Sequence, residues 1–314
     1  MSSQTLELQL STNARDRLSA GVYTLEQVVP ASPRSPLQSA TFVHFASVVP
    51  EADLLLHNFG GGAHVYRGTI TALVANSEVR LNAICKIAID SEDQVNLERE
   101  KDMYITHLDK FQGAIVPYFH GMFWGDMARS SNQRRFPVSC MILEDVGRVL
   151  VGKFSDQPMA CRKNILEGLL KLHSAGIRHD DFCESNVLIG ESNNIRIVDF
   201  DQARLHKCPS AHVTLDDLGI DGWEVQSGVV SCLEVLRACE RMDIWIPATI
   251  PLSGSYFFVE DIRSHKDLAR KAARTFGKEE ASLLEDAKKI YELFIESHED
   301  RLRAVGFQGL TPAA

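Results

Sequence analysis

Three oxygen-bearing side chains stand at fixed intervals in the most informative stretch of this 314-residue chain. The stretch reads Leu172-His173-Ser174-Ala175-Gly176-Ile177-Arg178-His179-Asp180-Asp181-Phe182-Cys183-Glu184-Ser185-Asn186-Val187-Leu188-Ile189 and runs on to Ile197-Val198-Asp199-Phe200-Asp201. Asn186 follows Asp181 by five residues, and Asp199 follows Asn186 by thirteen. The short apolar runs Val187–Ile189 and Ile195–Val198 flank a turn and predict a small hairpin. Asp181, Asn186 and Asp199 therefore sit on a loop and a hairpin, which can bring them to one point. Phosphoryl transfer asks for such a set. It needs hard oxygen ligands for Mg²⁺ and a carboxylate that orients the attacking hydroxyl and takes its proton, with little covalent help from the protein. A lone loop aspartate is most often a turn or cap residue; the joint spacing carries the reading.

The stretch resembles the HxDxxxxN and DFG segments of the protein-kinase superfamily. The resemblance implies ATP and Mg²⁺ as cofactors, Asp181 as catalytic base, and Asn186 and Asp199 as metal ligands. It also implies that His179 braces the loop against the Asp199 segment. Lys86, in Ala83-Ile84-Cys85-Lys86-Ile87, matches the VAIK lysine that meets the α- and β-phosphates. Glu100, on the helix that follows, is the choice for its ion-pair partner among Glu92, Glu98 and Asp102, because it lies one turn before Tyr104 and faces apolar residues. Gly60, Gly61 and Gly62 would supply the phosphate-cradling turn before Val65, although anchoring on Val65-Tyr66-Arg67-Gly68 puts the family glycines at Asn58, Gly60 and Ala63. In Met141-Ile142-Leu143-Glu144-Asp145-Val146-Gly147, Leu143 would be the gatekeeper, and Glu144 and Val146 would offer backbone contacts to adenine.

Four departures from the family pattern bear on function. Asp180 stands where the family has the arginine of HRD, and an acid there is unsuited to receive a phosphorylated loop. Cys183 and Ser185 take the places of a loop base, and Asp201 that of the DFG glycine. No APE-like segment follows. The texture is similar to compact kinase-like proteins of fungi and to small-molecule kinases that keep Asp, Asn and Asp. The expected function is an ATP- and Mg²⁺-dependent phosphotransferase acting on a hydroxyl of a protein or small molecule. The alternative is a pseudokinase or nucleotide-binding scaffold without useful turnover. His206 and Cys208 suggest metal, but two ligands do not make a structural zinc site.

The elements that must position these residues are legible in part. Ala52–Phe59, Val65–Val74, Arg80–Ala88, Ile115–Trp124 and Val138–Val146 predict five strands, and Ser91–Leu108 a moderately amphipathic helix. Met159–Ala175 predicts a helix stopped by Gly176, and Glu279–Arg303 another, with a break near Pro247–Gly254. With these elements, the resemblance implies an α+β, two-lobed kinase-like fold. Residues 1–50 form a loop-rich lead-in around prolines 30, 33 and 36, residues 51–146 a five-stranded lobe with one main helix, and residues 147–314 a mainly helical, shortened lobe.

Composition bounds the partners. A net charge of −9 gives no reason to expect general nucleic-acid binding and disfavours anionic membranes. Hydrophobic residues make up 45% of the chain, yet no apolar run reaches the length of a membrane span. The start MSSQTLELQL lacks a basic segment followed by an apolar one, and the seven cysteines show no CxxC spacing. A cytoplasmic or nuclear setting with reduced thiols is the expectation.

Overall fold

The computed structural model describes residues 5–10, 21–47, 63–75, 77–128, 134–190, 194–224 and 229–307. The chain divides into two compact units, Met1–Lys153 with Lys171–Cys208, and Phe154–Leu170 with Pro209–Ala314.

The first unit is built on seven strands, β1 (Thr5–Leu10), β2 (Gly21–Val29), β3 (Ala40–Ser47), β4 (His64–Val74), β5 (Ser77–Ala88), β6 (Phe119–Ala128) and β7 (Arg135–Glu144). They close into a barrel in the order β1-β2-β6-β7-β5-β4-β3. All neighbours are antiparallel except β1 and β3, which run parallel with Leu6 opposite Val43 and Leu8 opposite Phe45. Strand side chains alternate between faces, so one set fills the interior: Leu6, Leu8 and Leu10 from β1, Tyr23 and Leu25 from β2, Cys85 and Ile87 from β5, Cys140 and Ile142 from β7.

This closed seven-stranded barrel overturns the expected two-lobed arrangement of a five-stranded lobe and a mainly helical one. The reason lies in residues 5–47, expected as a loop-rich lead-in, which supply three barrel strands. Their apolar residues alternate with Glu7, Gln9, Thr24 and Glu26, a half-buried strand pattern. The prolines that suggested loops sit only in the turns between β2 and β3. The expected strand 52–59 lies outside the described residues.

Helix α1 (Ser91–Thr106) follows β5 and packs on the outer face of the barrel. Strand β8 (Arg148–Val149) pairs with β10 (Val187–Ile189), and β10 forms the expected hairpin with β11 (Ile195–Ile197). Helix α2 (Met159–Ser174) ends just before Gly176, whose φ of +75° suits glycine at a helix stop. Strand β9 (Ile177–Arg178) then pairs with β12 (Arg204–Leu205), two residues against two.

In the second unit, α3 (Leu233–Arg241) precedes the hairpin of β13 (Thr249–Leu252) and β14 (Ser255–Phe258), where the sequence shows its break. Helices α4 (His265–Phe276) and α5 (Leu284–Ala304) follow. Ser264 caps α4 by accepting from the Asp267 N–H at 3.2 Å. Leu268, Ala272, Ala287, Tyr291 and Phe294 form the core of this unit with Ile250 and Phe257. Among the described residues no helix is long and apolar enough to cross a membrane.

Candidate functional site

Strand alternation decides where Lys86 points. Ala83, Cys85 and Ile87 face into the barrel, so Ile84, Lys86 and Ala88 face outward, where Ile84 and Ala88 join a second core with α1. On α1, Leu97, Glu100, Met103 and Tyr104 form the buried stripe, spaced by threes and fours. Glu100 is thereby carried against β5, only 1% exposed, and its Oε2 accepts from Lys86 Nζ at 2.7 Å.

The same ammonium donates to Asp199 Oδ1 at 2.8 Å. Asp199 holds φ at +70° and Asp180 at +63°, a left-handed conformation uncommon for a residue with a side chain. Two anchors hold the Asp199 segment. Val198 N–H donates to the Asn186 carbonyl at 3.0 Å, and His179 Nε2 donates to the Val198 carbonyl at 2.9 Å. Phe200 is fully buried, edge-on to Tyr104 and within 4.8 Å of the His179 ring. Asn186, itself buried, donates through Nδ2 to the Asp181 carbonyl at 2.8 Å and to Asp181 Oδ2 at 3.0 Å. That pair fixes the exposed Asp181 carboxylate on its loop.

These groups open on one cavity of about 690 Å³. Ala63, Val65, Ile84, Leu143 and Leu188 give it apolar walls, and Lys86, Glu100, Glu144, Asp181, Asn186 and Asp199 its polar lining. Of the residues expected from sequence, Val65, Lys86, Glu100, Leu143, Glu144, Asp181, Asn186 and Asp199 are thus brought together. Val146 is not among the lining residues, and Gly60, Gly61 and Gly62 lie outside the described residues. The linker after β7 is pinned by Arg67, whose Nε sits 2.6 Å from Asp145 and whose guanidinium also donates to the Gly147 carbonyl.

The cavity is strongly acidic. Lys86 shares its lining with Glu92, Asp93, Glu100, Glu144, Asp181, Asp199 and Asp201. Burial alone would lower the Lys86 pKa, but the charges of Glu100 and Asp199 outweigh it and hold the ammonium well above its ordinary value. Lys86 in turn draws Asp199 down. Burial pushes Glu100 up to about 7 against the pull of Lys86. The cluster of two carboxylates and one ammonium thus takes its first proton on Glu100. Burial, then the Asp199 charge, raises Asp201.

Sequence reasoning missed Asp201 and Gln202 as lining residues, together with Glu92, Asp93 and Asn96. Asp201 was readable as a third oxygen donor two residues past Asp199, and Glu92 and Asp93 as acids in the first turn of α1. Asp180 has a role the sequence did not suggest. Its carboxylate meets Arg178 Nε at 2.7 Å and Arg204 Nε at 2.5 Å, so its charge is spent within the protein, across β9 and β12.

Comparison with known proteins adds a limited likeness. No family model matches the chain. Over 103 residues, 32% of its length, it is 29% identical to the nitrogen permease reactivator protein of Saccharomyces cerevisiae. Over a span of the same size it is 27% identical to the serine/threonine-protein kinase oca2 of Schizosaccharomyces pombe. The chain covers 13% and 16% of the length of these two proteins. Both likenesses are partial and of low identity, and one of them is to a protein named as a kinase.

Proposed function

We propose that the chain is an ATP- and Mg²⁺-dependent phosphotransferase that moves a γ-phosphoryl group to a hydroxyl of a protein or small molecule. The proposal concerns the chemistry of the cavity and makes no use of the two-lobed fold. The observation that carries it is Lys86 Nζ held at 2.7 Å from Glu100 and 2.8 Å from Asp199, in a cavity that Asp181 and Asn186 share. The partial likeness to a serine/threonine kinase points the same way.

The donor set fits Mg²⁺. Asn186 spends its Nδ2 on Asp181, so its Oδ1 would be the atom offered to a metal, and Asn186, Asp199 and Asp201 all line the cavity. Hard oxygen donors without sulfur or imidazole suit that ion. When bound, Mg²⁺ would neutralise charge on the transferred phosphoryl group. Lys86 would orient phosphate oxygens, and Glu100 would hold Lys86 in place. Asp181 would orient the acceptor hydroxyl and receive its proton on a carboxylate oxygen. The apolar walls, with Leu143 and Leu188, offer room for a planar base. A nucleotide-binding scaffold is the second reading, favoured by the Asp199 carboxylate being already engaged by Lys86.

The test is ATP turnover by the full chain over a panel of peptides and metabolites, with Asp181→Ala beside the parent. Asp181→Ala should keep Mg²⁺-ATP affinity within a few-fold while transfer falls roughly 10²–10⁴-fold. Unchanged turnover in the variant would remove Asp181 from the chemistry. Firm Mg²⁺-ATP binding by a parent that transfers to no acceptor would favour the scaffold.

A further inference from the structure

The segment that follows Asp199 returns toward the end of α2. Strands β9 and β12 pair over only two residues each, and the His206 N–H donates to the Gly176 carbonyl at 2.9 Å. A pairing this short is marginal by itself. Just beyond it, three side chains with metal-ligating atoms converge. His173, in the last turn of α2 and with no exposed surface, places Nδ1 3.3 Å from Cys208 Sγ. The His206 ring stands perpendicular to that of His173, with centroids 5.0 Å apart. One ligand atom from each of the three lies within 4.8 Å of the others.

We infer that His173, His206 and Cys208 form a transition-metal site, with Zn²⁺ as the ion its donors suit best. Two imidazoles and a thiolate are borderline-soft donors that favour zinc over the hard cations of the acidic cavity. Zinc binds nitrogen at about 2.0–2.1 Å and sulfur at about 2.3 Å, which puts neighbouring donors in a tetrahedron roughly 3.5 Å apart. The 3.3 Å between His173 Nδ1 and Cys208 Sγ is close to that edge. A water completes the tetrahedron. The sequence showed only His206 and Cys208, too few for a structural site; the fold supplies His173 from a different element. The ion would clip the chain after Asp199 to the end of α2. It would thereby hold the β9–β12 pairing, where Arg178 and Arg204 meet Asp180. This site stands apart from the proposed phosphotransfer and does not depend on it.

The experiment measures metal in the purified full chain by mass spectrometry, then the absorption of the Co²⁺-substituted protein after chelation and reloading. The expected result is about one zinc per chain, with a thiolate-to-cobalt charge-transfer band. Cys208→Ser should abolish that band and His206→Asn should weaken metal retention at least tenfold. Cys161→Ser, which alters a partly exposed thiol elsewhere, should change neither. Chelation should also increase hydrogen exchange across residues 200–208 in the parent. Because His173 is buried and its variant can fail to fold, the conclusion rests on the two partly exposed ligands, whose variants are checked by circular dichroism. The inference is overturned if the folded parent retains no Zn²⁺ or Co²⁺ after desalting. It is equally overturned if Cys208→Ser retains metal and band as the parent does.

Discussion

Replacing Lys86 by Met tests whether the ammonium is what allows Glu100 to ionise inside the protein. At 2.7 Å and an effective dielectric of about 20, the attraction between Lys86 and Glu100 is about 6 kcal/mol, an upper bound before desolvation. The arm to Asp199 contributes less, because that side chain is 42% exposed and screened by solvent. In the parent, burial already places the Glu100 pKa at about 7, above the ordinary value of 4.5. The folded protein therefore holds a proton that the unfolded chain has released, and stability falls as pH rises between these values, by about 3 kcal/mol in all. Above about 7 the loss stops in the parent, because Glu100 ionises beside Lys86. Without Lys86 the carboxyl keeps its proton, and the loss continues at about 1.4 kcal/mol per pH unit. Lys86→Met should thus cost about 1 kcal/mol near pH 6, from the half-exposed arm alone, and about 3 kcal/mol more near pH 9. The assay is urea unfolding of the full chain across this range. Glu100→Gln is the control background, in which the extra cost above pH 7 should vanish. A Lys86→Met penalty that stays flat between pH 7 and 9 would refute the reasoning, as would one that persists undiminished with Gln at position 100.

Two further predictions address the barrel. Burial lowers the pKa of His120 to about 4, and its Nδ1 lies 2.8 Å from Ser35 Oγ, so the folded state binds fewer protons than the unfolded one. Stability should therefore be lost as pH falls from about 6.5 to about 4, by up to about 3 kcal/mol, and His120→Asn should flatten that part of the unfolding profile. Gly68 lies where β4 pairs with the end of β3, and a Cβ there would meet the Ala46 carbonyl oxygen at 2.3 Å and Phe45 Cζ at 2.6 Å. Gly68→Ala should cost about 1–3 kcal/mol in thermal or urea unfolding; a neutral result would mean that β3 and β4 do not approach this closely.

The gap between what the sequence disclosed and what the fold shows has a physical origin. The spacing from Asp181 to Asn186 to Asp199 is local, and its hairpin is closed by neighbours in the chain, Val187 opposite Ile197 and Ile189 opposite Ile195. Glu100 was legible for a similar reason: a carboxylate in the apolar stripe of α1 needs a cation, and β5 offers Lys86 just before the helix. Barrel closure is different. It depends on β1 lying parallel to β3 and antiparallel to β2, a register set by partners far along the chain. Nothing within residues 5–10 states which strand will cover each edge. His173 was invisible as a ligand for the same reason, since helical spacing alone relates it to no residue after β12.

Strand β5 shows why local reading found the pairing of Lys86 with Glu100 and missed the architecture. Its sequence from Ala83 to Ala88 is apolar except for Lys86, which resembles a strand buried on both faces. It is such a strand, because Ala83, Cys85 and Ile87 fill the barrel while Ile84 and Ala88 meet α1. A run of that kind specifies that both faces are covered and leaves open what covers them. The lysine is the exception that resolves one face. A charge on the α1 side of a doubly buried strand must find an anion there, and Glu100 in the buried stripe of the adjoining helix reaches it, as does Asp199. No comparable polar residue marks the barrel face of β5, so the seven-stranded closure left no trace in this segment. Charged residues in apolar surroundings report on their partners, whereas apolar residues report only that partners exist.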